Sequence, residues 1–352
     1  MRRITRIATV GIASAALALS ATACGGKSSS SSSSESSSGN GGKVAIAYDI
    51  GGRGDQSFND AAYAGLAKAE KDLKVKGTEA EPTEGEGDPD KVSRLTSLAR
   101  AGNNPVIGVG FAYAPAIAAV APKFPNTTFG LIDDTSKTGK NIANLVFNEE
   151  QGSYLAGVAA AKVTKSNIVG FIGGVETPLI KKFEAGYVQG VKDTKKNVTV
   201  KVQYLTQPPD FGGFSKPDLG KAAAQGQLDA GADVIYAAAG LAGSGSIEAV
   251  SKAGKWAIGV DSDQYNQKGL AAYKAAILTS VTKDVEDAVF NVIKSVKDGK
   301  PQSGEVRYGL DKGGVGLAAS NPAYIKMTDV TAAVEKAKAA IIAGTIKVKT
   351  AP

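Results

Sequence analysis

The stretch that decides the fold reads Lys43-Val-Ala-Ile-Ala-Tyr-Asp-Ile-Gly-Gly-Arg-Gly-Asp-Gln-Ser-Phe-Asn-Asp60. Its first part, Val44–Ile50, is a mostly apolar run, as expected of a strand that is buried on both faces of a parallel sheet. Glycines at positions 51, 52 and 54 permit a tight turn. Apolar residues then recur at helical spacing: Ala62, Leu66, Ala69 and Leu73. Strand, glycine turn and helix together predict one unit of an open α/β sheet.

The same alternation continues along the chain. Further apolar runs predict strands at Val106–Gly110, Thr128–Ile132, Ile142–Phe147, Ile168–Gly173, Val198–Leu205, Val234–Ala239 and Ala257–Val260. Amphipathic stretches at Leu179–Val191 and Val285–Val296 predict helices. This order predicts an α/β fold of doubly wound parallel sheets with right-handed crossovers.

The length of the folded body predicts two lobes. From Lys43 onward about 310 residues remain, more than one such sheet usually needs. The segment Asn148-Glu-Glu-Gln-Gly152 interrupts the alternation near the middle. We therefore predict a first lobe of residues 43–147 plus about 278–302 and a second of residues 148–277 plus about 303–352. Ligands of open α/β sheets bind at the carboxyl ends of the strands, which predicts a cleft between the lobes.

The N-terminus predicts export. Arg2, Arg3 and Arg6 precede the apolar or small stretch Ile7–Ala23, so residues 1–23 are typical of a signal peptide. The end of that stretch, Leu19-Ser-Ala-Thr-Ala-Cys24, resembles a bacterial lipobox, in which the cysteine is acylated after cleavage. A single cysteine cannot form an internal disulfide, so acylation gives Cys24 a use. The alternative is a plain signal peptide with an incidental cysteine.

Residues 24–42 predict a flexible tether behind that cysteine. Serine occupies positions 28–38 except for Glu35, and Gly39-Asn-Gly-Gly42 follows. Such a run has no apolar surface to offset the entropy of ordering it. An acylated Cys24 followed by a tether predicts a body held at the extracytoplasmic face of the cell membrane.

Composition excludes several classes of function. The formal charge of +7 comes from 41 basic and 34 acidic residues, and three of the arginines lie in the signal. No dense basic block with interleaved aromatic residues is present, so no nucleic-acid partner is predicted. Histidine is absent, which excludes a Ser-His-Asp triad, and one cysteine cannot build a thiolate zinc site. We therefore predict that the protein is not an enzyme and uses no cofactor or metal. A transcriptional regulator of similar fold would carry DNA-binding helices at its N-terminus, where this chain has the predicted signal peptide.

Four side chains near strand ends are candidate ligand contacts. Phe58 stands between polar neighbours in a strand-to-helix turn and could be an aromatic surface for a flat ligand, with Asp49 and Asn59 as hydrogen-bonding groups. The alternative is that Phe58 only packs the helix on the sheet. Asp261 follows an apolar strand, and an ionised carboxylate can accept two vicinal hydroxyls, unless it only caps a helix.

Two further features are candidates in the second half of the chain. Lys283 could neutralise a buried acid or donate to a ligand, and the alternative is an ordinary surface lysine. Gly243 to Ser246 predicts a glycine-rich loop after the strand that ends at Ala239. Backbone amides there, at Gly245 and Ser246, could contact a ligand.

The segment from Asp49 to Asp60 resembles the signature of the basic membrane protein family, the purine-nucleoside-receptor-like substrate-binding lipoproteins of ABC importers. The resemblance continues in order over the whole body, at Gly108–Phe111, Leu131–Asp133, Asn148–Gly157, Phe171–Gly174, Phe183–Gly186, Ile258–Gln264, Leu278–Ser280 and Lys283. It implies the type I periplasmic-binding-protein fold. It also implies a monomer that hands its ligand to an ABC permease.

The resemblance implies how a purine nucleoside would be held. The ring would lie between two aromatic side chains, one per lobe, with acidic residues at the ribose. Phe58 would be the first aromatic, and Asp49, Asn59 and Asp133 would contact the ligand from the first lobe. The second aromatic lies within Pro209–Pro217, where Phe214 matches better than Phe211 because it precedes a helix start.

Two other functions stay open at this point. A sugar or another furanose could use the same aromatic and acidic residues in the same fold. A secreted nucleoside hydrolase would need a cluster of close aspartates near the N-terminus. The candidates for that cluster, Asp49, Asp55 and Asp60, are dispersed in a glycine-rich turn.

Overall fold

The computed structural model describes residues 42–352, so the predicted signal peptide, Cys24 and nearly all of the tether lie outside the described residues. The strands in this range are β1 Lys43–Ala47, β2 Lys76–Ala80, β3 Val106–Gly108, β4 Phe129–Ile132, β5 Ile142–Phe147, β6 Ile168–Val175, β7 Thr199–Thr206, β8 Val234–Ala238, β9 Trp256–Asp261, β10 Ile277–Lys283, β11 Gly304–Tyr308 and β12 Val315–Leu317. The helices are α1 Phe58–Leu73, α2 Asp88–Arg100, α3 Ala114–Val120, α4 Glu149–Val163, α5 Pro178–Thr194, α6 Pro217–Asp229, α7 Ala242–Lys252, α8 Val285–Lys297, α9 Pro322–Ile325 and α10 Thr328–Ile342.

The strands form two sheets of six. The first has the order β11-β5-β4-β3-β1-β2 and is parallel throughout. The second has the order β12-β10-β9-β8-β6-β7 and is parallel except for β12, which runs antiparallel to β10. The predicted α/β architecture of two parallel-sheet lobes is confirmed.

The chain passes between the lobes three times, and two passages differ from the predicted boundaries. It leaves the first sheet after β5, returns after β10 when α8 packs on α1, and leaves again after β11. Strand β10 was expected in the first lobe, but it pairs with β9 in the second sheet. Strand β11 was expected in the second lobe, but it pairs with β5 in the first sheet. Backbone pairing decides both placements, because each strand hydrogen-bonds to the sheet it reaches.

Glycines bring the helix layers close together. A Cβ on Gly186 of α5 would lie 2.1 Å from the carbonyl oxygen of Glu150 on α4, so only glycine allows this approach. A Cβ on Gly65 of α1 would lie 2.4 Å from the carbonyl oxygen of Glu286 on α8. Each contact packs a helix that follows a passage between the lobes, α4 or α8, closely against its neighbour.

No helix within residues 42–352 combines the length and the apolar character that crossing a bilayer requires.

Candidate functional site

A cavity lies where the carboxyl ends of the two sheets meet. It encloses about 530 Å³ of empty space, part of it open to solvent. Residues from both lobes line it: Asp49, Ile50, Asp55, Phe58, Asn59, Phe111 and Asp133 from the first, and Leu179, Ile180, Phe183, Phe214, Ala238, Gly240, Val260, Asp261 and Lys283 from the second. The cavity therefore lies where the strand-end rule predicts a ligand site.

The turn after β1 is built around the carboxylate of Asp55. It accepts hydrogen bonds from the backbone N–H groups of Ser57 and Asn59 at 2.9 and 2.8 Å, and from that of Asp60 at 3.1 Å. These donors belong to the first turn of α1, so Asp55 satisfies the helix N-terminus from outside the helix. The buried Asp55 thereby fixes the direction in which Phe58 leaves the turn.

Asn59 supports the site as well as lining it. Its Oδ1 accepts from the backbone N–H of Asp49 at 2.9 Å, and its Nδ2 donates to Asp55 at 3.0 Å. One N–H of the amide is left for a ligand. The predicted contact of Asn59 with a ligand edge stays a prediction, and its observed role is to hold Asp49 and Asp55 together.

Lys283 is the charged centre of the cavity. Its Nζ lies 2.5 Å from Asp133 Oδ2 and 4.0 Å from Asp261 Oδ1, and the side chains of Lys283 and Asp133 are each only 3% exposed. The ammonium also lies 4.5 Å from the ring centroid of Phe58, 5.2 Å from that of Phe147 and 5.8 Å from that of Phe183. Since Asp133 belongs to the first lobe and Lys283 to the second, this buried ion pair joins the lobes.

Both aspartates beside Lys283 have unusual backbone. Asp133 has φ 68° and Asp261 has φ 63°, in the left-handed region that non-glycine residues seldom adopt. Each comes at the end of a parallel strand, β4 and β9. Such strain persists where the surroundings fix it, and it concentrates at ligand sites.

Burial shifts the protonation of the acids around the cavity. Removal from water raises the pKa of Asp49 to about 7 and that of Asp55 to about 6. It also raises the pKa of Asp261 despite the opposing charge of Lys283. For Lys283 burial acts to lower the pKa, but Asp133, Asp261 and Glu149 together raise it, so the lysine stays charged.

The two aromatic side chains predicted to contact a ligand line the cavity from opposite lobes. Phe58 starts α1 in the first lobe, and Phe214 stands just before α6 in the second. Phe211 lies outside, in a wider groove bounded by Pro82–Glu86 and Pro209–Lys216. Its ring centroid is 6.1 Å from that of Phe111, which lines the cavity itself. The geometry thus places Phe214, not Phe211, inside.

The predicted loop at Gly243–Ser246 is wrong. These residues belong to α7, and neither Gly245 nor Ser246 lines the cavity. The Ser246 hydroxyl donates to the carbonyl oxygen of Gly220 at 2.9 Å, and a Cβ on Gly245 would lie 1.9 Å from the carbonyl oxygen of Pro217. Their small size serves the close packing of α7 on α6.

Three residues were not predicted as site residues: Phe111 and Phe183, which line the cavity, and the buried Glu149. Phe111 follows β3 after Gly110, so the strand-end argument that singled out Asp49 would have found it. Phe183 lies on the first turns of α5, inside the predicted amphipathic stretch Leu179–Val191. Glu149 is 1% exposed, both of its carboxylate oxygens lack a hydrogen-bond partner among the described residues, and burial raises its pKa to about 7. Nothing in its sequence context indicates that.

Two parallel α/β lobes around a cavity lined with aromatic and charged side chains define a solute-binding protein of the periplasmic-binding type. A solute-binding protein of an ABC transporter from Aeropyrum pernix superimposes with a TM-score of 0.76 at 28% identity, covering 88% of this chain and 93% of that one. Residues 43–351 match the family model Bmp, described as "ABC transporter substrate-binding protein PnrA-like". The chain belongs to this family and is a substrate-binding protein of an ABC transporter, as the resemblance implied.

Curated relatives agree with this assignment. The chain is 36% identical to the "ABC transporter nucleoside-binding protein BmpA" of Lactococcus lactis, over 87% of this chain and 88% of the relative. It is also 36% identical to the "CD4+ T-cell-stimulating antigen" of Listeria monocytogenes, over 88% of each. An "uncharacterized lipoprotein" of Pyrococcus horikoshii is 35% identical over 78% of this chain and 68% of the relative.

Proposed function

We propose that the cavity binds a nucleoside, with a purine base between Phe58 and Phe214 and the ribose diol at Asp261. One observation carries the proposal: an aromatic ring from each lobe and a strand-end carboxylate line the same small cavity. Stacking of a base on an aromatic side chain is worth about 1–3 kcal/mol. The name of the Lactococcus lactis relative, a nucleoside-binding protein, supports the choice of ligand class.

In this proposal the charged groups have different roles: Asp261 accepts hydrogen bonds from the ribose, and Lys283 donates to the ligand. A carboxylate accepts hydrogen bonds from two neighbouring hydroxyls, and Asp261 lines the cavity with Lys283 4.0 Å away. The ion pair with Asp133 fixes the ammonium, whose remaining N–H groups can donate to ligand oxygen or ring nitrogen. Asp49 and the free N–H of Asn59 are the groups available to the base from the first lobe.

In this proposal the protein binds and releases the ligand without changing it chemically. Asp55 is occupied by three backbone N–H groups, and the carboxylate of Asp60 accepts from the backbone of Gly54 and Gln56 and from Arg53. Neither carboxylate is available to bind a metal or to activate water. The protein acts as a monomer and passes the nucleoside to a membrane permease.

We place the protein at the extracytoplasmic face of the membrane, anchored through acylated Cys24. Relatives named as lipoproteins support this location. Cys24→Ala should move the protein from the membrane pellet to the medium. An unchanged distribution would refute the anchor.

Calorimetric titration of the full chain, unfolded and refolded to strip any bound ligand, tests the ligand class. A purine nucleoside should bind far more tightly than its free base or than ribose, because only the nucleoside reaches both ends of the cavity. Equal affinity for ribose and nucleoside would favour a sugar-binding protein. Slow release of free base, followed by chromatography of the same sample, would indicate a hydrolase.

A further inference from the structure

Ser57 stands at the N-cap position of α1 but does not cap the helix. Its side chain accepts no hydrogen bond from the first turn, which Asp55 already satisfies. The hydroxyl instead lies 2.7 Å from Oδ2 of Asp261 and 3.3 Å from the carbonyl oxygen of Val260. A hydroxyl has one hydrogen to donate. Of the two oxygens in reach, that of the Asp261 carboxylate is nearer and is the stronger acceptor. Ser57 therefore donates across the cleft to the second lobe.

The residue before Ser57 joins the lobes at the same point. The carbonyl oxygen of Gln56 accepts from Ser262 Oγ at 3.1 Å and from Gln264 Nε2 at 3.0 Å. Its side-chain Oε1 accepts from the backbone N–H of Gly269 at 2.9 Å. Because all of these donors belong to the second lobe, the bond from Ser57 to Asp261 forms only when the lobes are together.

Asp261 has few other restraints on its direction. It is 8% exposed, its backbone has φ 63°, and its second oxygen is 4.0 Å from Lys283, too far for a hydrogen bond. Within the described residues, the hydrogen bond that the Asp261 side chain accepts comes from the hydroxyl of Ser57. Ser57 itself is fully buried and does not line the cavity.

We propose that Ser57 is a positioning residue that orients the carboxylate of Asp261 toward the ligand and couples recognition of a vicinal diol to lobe closure. The inference rests on the proposed function, since it takes Asp261 as the diol-binding group. It assigns a role to a residue that need not touch the ligand. The diol would be read by a carboxylate of one lobe that is held in place by the other lobe.

The test is a comparison of two ligands on matched serine variants. Affinities of the full chain for a purine nucleoside and for its 2′,3′-dideoxy analogue are measured by calorimetry in wild type, Ser57→Ala and Ser262→Ala. Ser57→Ala should lose about tenfold in affinity for the nucleoside and less than twofold for the analogue, the loss expected for one hydrogen bond to a charged group. Ser262→Ala removes another hydrogen bond between the lobes but none made by the Asp261 side chain, so it should weaken both ligands equally.

Equal losses for both ligands in Ser57→Ala would show a role in closure alone and overturn the inference. If Ser57→Ala fails to fold, Ser57→Gly keeps an acceptable N-cap residue and serves the same comparison. Asp261→Asn separates the two claims. If Asp261→Asn selectively loses affinity for the nucleoside and Ser57→Ala does not, only the role of Ser57 is refuted. If wild type binds both ligands with equal affinity, the assignment of Asp261 to the diol is refuted, and the role of Ser57 with it.

Discussion

Two glycine-rich segments follow parallel strands in this molecule, and only one of them builds the cavity. After β1, the glycines at 51, 52 and 54 adopt φ of 101°, 61° and 89° and form an open turn. After β8, Gly243 and Gly245 lie inside α7. The first segment supplies cavity residues from Asp49 to Asn59, while from the second only Gly240 reaches the cavity.

The difference shows two uses of glycine that look alike in sequence. In the first segment glycine provides backbone conformations that other residues avoid, so the chain can turn and present side chains. In the second it removes a side chain so that two helices can touch. What distinguishes them is the buried Asp55, which caps α1 from outside the helix and has no counterpart between Gly240 and Ser246.

Asp55→Ala should have the largest effect. It leaves three backbone N–H groups of the first turn without their acceptor, so we expect a loss on the order of 3 kcal/mol in the free energy of unfolding. The turn would no longer direct Phe58, and ligand binding should fall with it. Urea denaturation and calorimetry measure the two. Unchanged stability would contradict the role given to Asp55 as the organiser of this segment.

Phe58→Ala should cost about 1–3 kcal/mol of binding free energy, the stacking contribution of one aromatic side chain. Phe211→Ala is the matched control, because its ring lies outside the cavity, and should cost less than about 0.5 kcal/mol in binding. Thermal melting accompanies both titrations. If Phe58→Ala melts many degrees lower while the folded fraction binds normally, Phe58 only packs the helix.

Gly245→Ala should lower the free energy of unfolding by about 1–2 kcal/mol, because its Cβ would collide with the carbonyl oxygen of Pro217. Affinity of the folded protein should not change. Gly243→Ala provides the control within the same helix, since its Cβ would meet Ala237 at an ordinary 3.7 Å and should be neutral or stabilising. Equal effects of the two substitutions would show that close packing is not what selects glycine at 245.

A smaller effect is expected from the pKa of Asp49. Because burial raises it to about 7, above the value of about 4 in the unfolded chain, the folded state binds more protons between these pH values. Stability from this group is present at low pH and is lost as pH rises from about 4 to about 7. Asp49→Asn should therefore reduce the fall in stability between pH 6 and pH 7 by about 1 kcal/mol. The exposed Asp72→Asn should leave that fall unchanged, and an identical profile for both variants would contradict the assigned pKa.

The sequence predicts strands with a continuous apolar run better than polar strands. Central strands such as β5 and β8 are continuous apolar runs and were placed closely. Strand β2, Lys-Gly-Thr-Glu-Ala, is polar because it forms an exposed sheet edge, and β11 is half exposed for the same reason. Neither has an apolar pattern, so neither could be predicted as a strand. For β10 and β11, the sequence also did not indicate which of the two sheets each strand joins.

The candidate site divides in a similar way. Strand ends indicated Asp49 and Asp261, because the carboxyl edge of a parallel sheet is common to all its strands. Hydrogen bonds between distant residues leave no local pattern: Ser57 and Asp261 are more than two hundred positions apart. The same holds for Glu149, whose pKa depends on its burial and on the charges of Lys283 in the second lobe and Asp133 in the first.

The most direct test of the proposed diol contact compares a purine nucleoside with its 2′,3′-dideoxy analogue by calorimetry on wild type and Asp261→Ala. We expect wild type to bind the nucleoside more tightly by about 1–3 kcal/mol, the cost of leaving a buried carboxylate without its partners. Asp261→Ala should weaken the nucleoside strongly and the analogue far less, so that the two affinities converge. If Asp261→Ala weakens both ligands by the same factor, or wild type does not distinguish them, the carboxylate at the end of β9 does not hold a ribose diol.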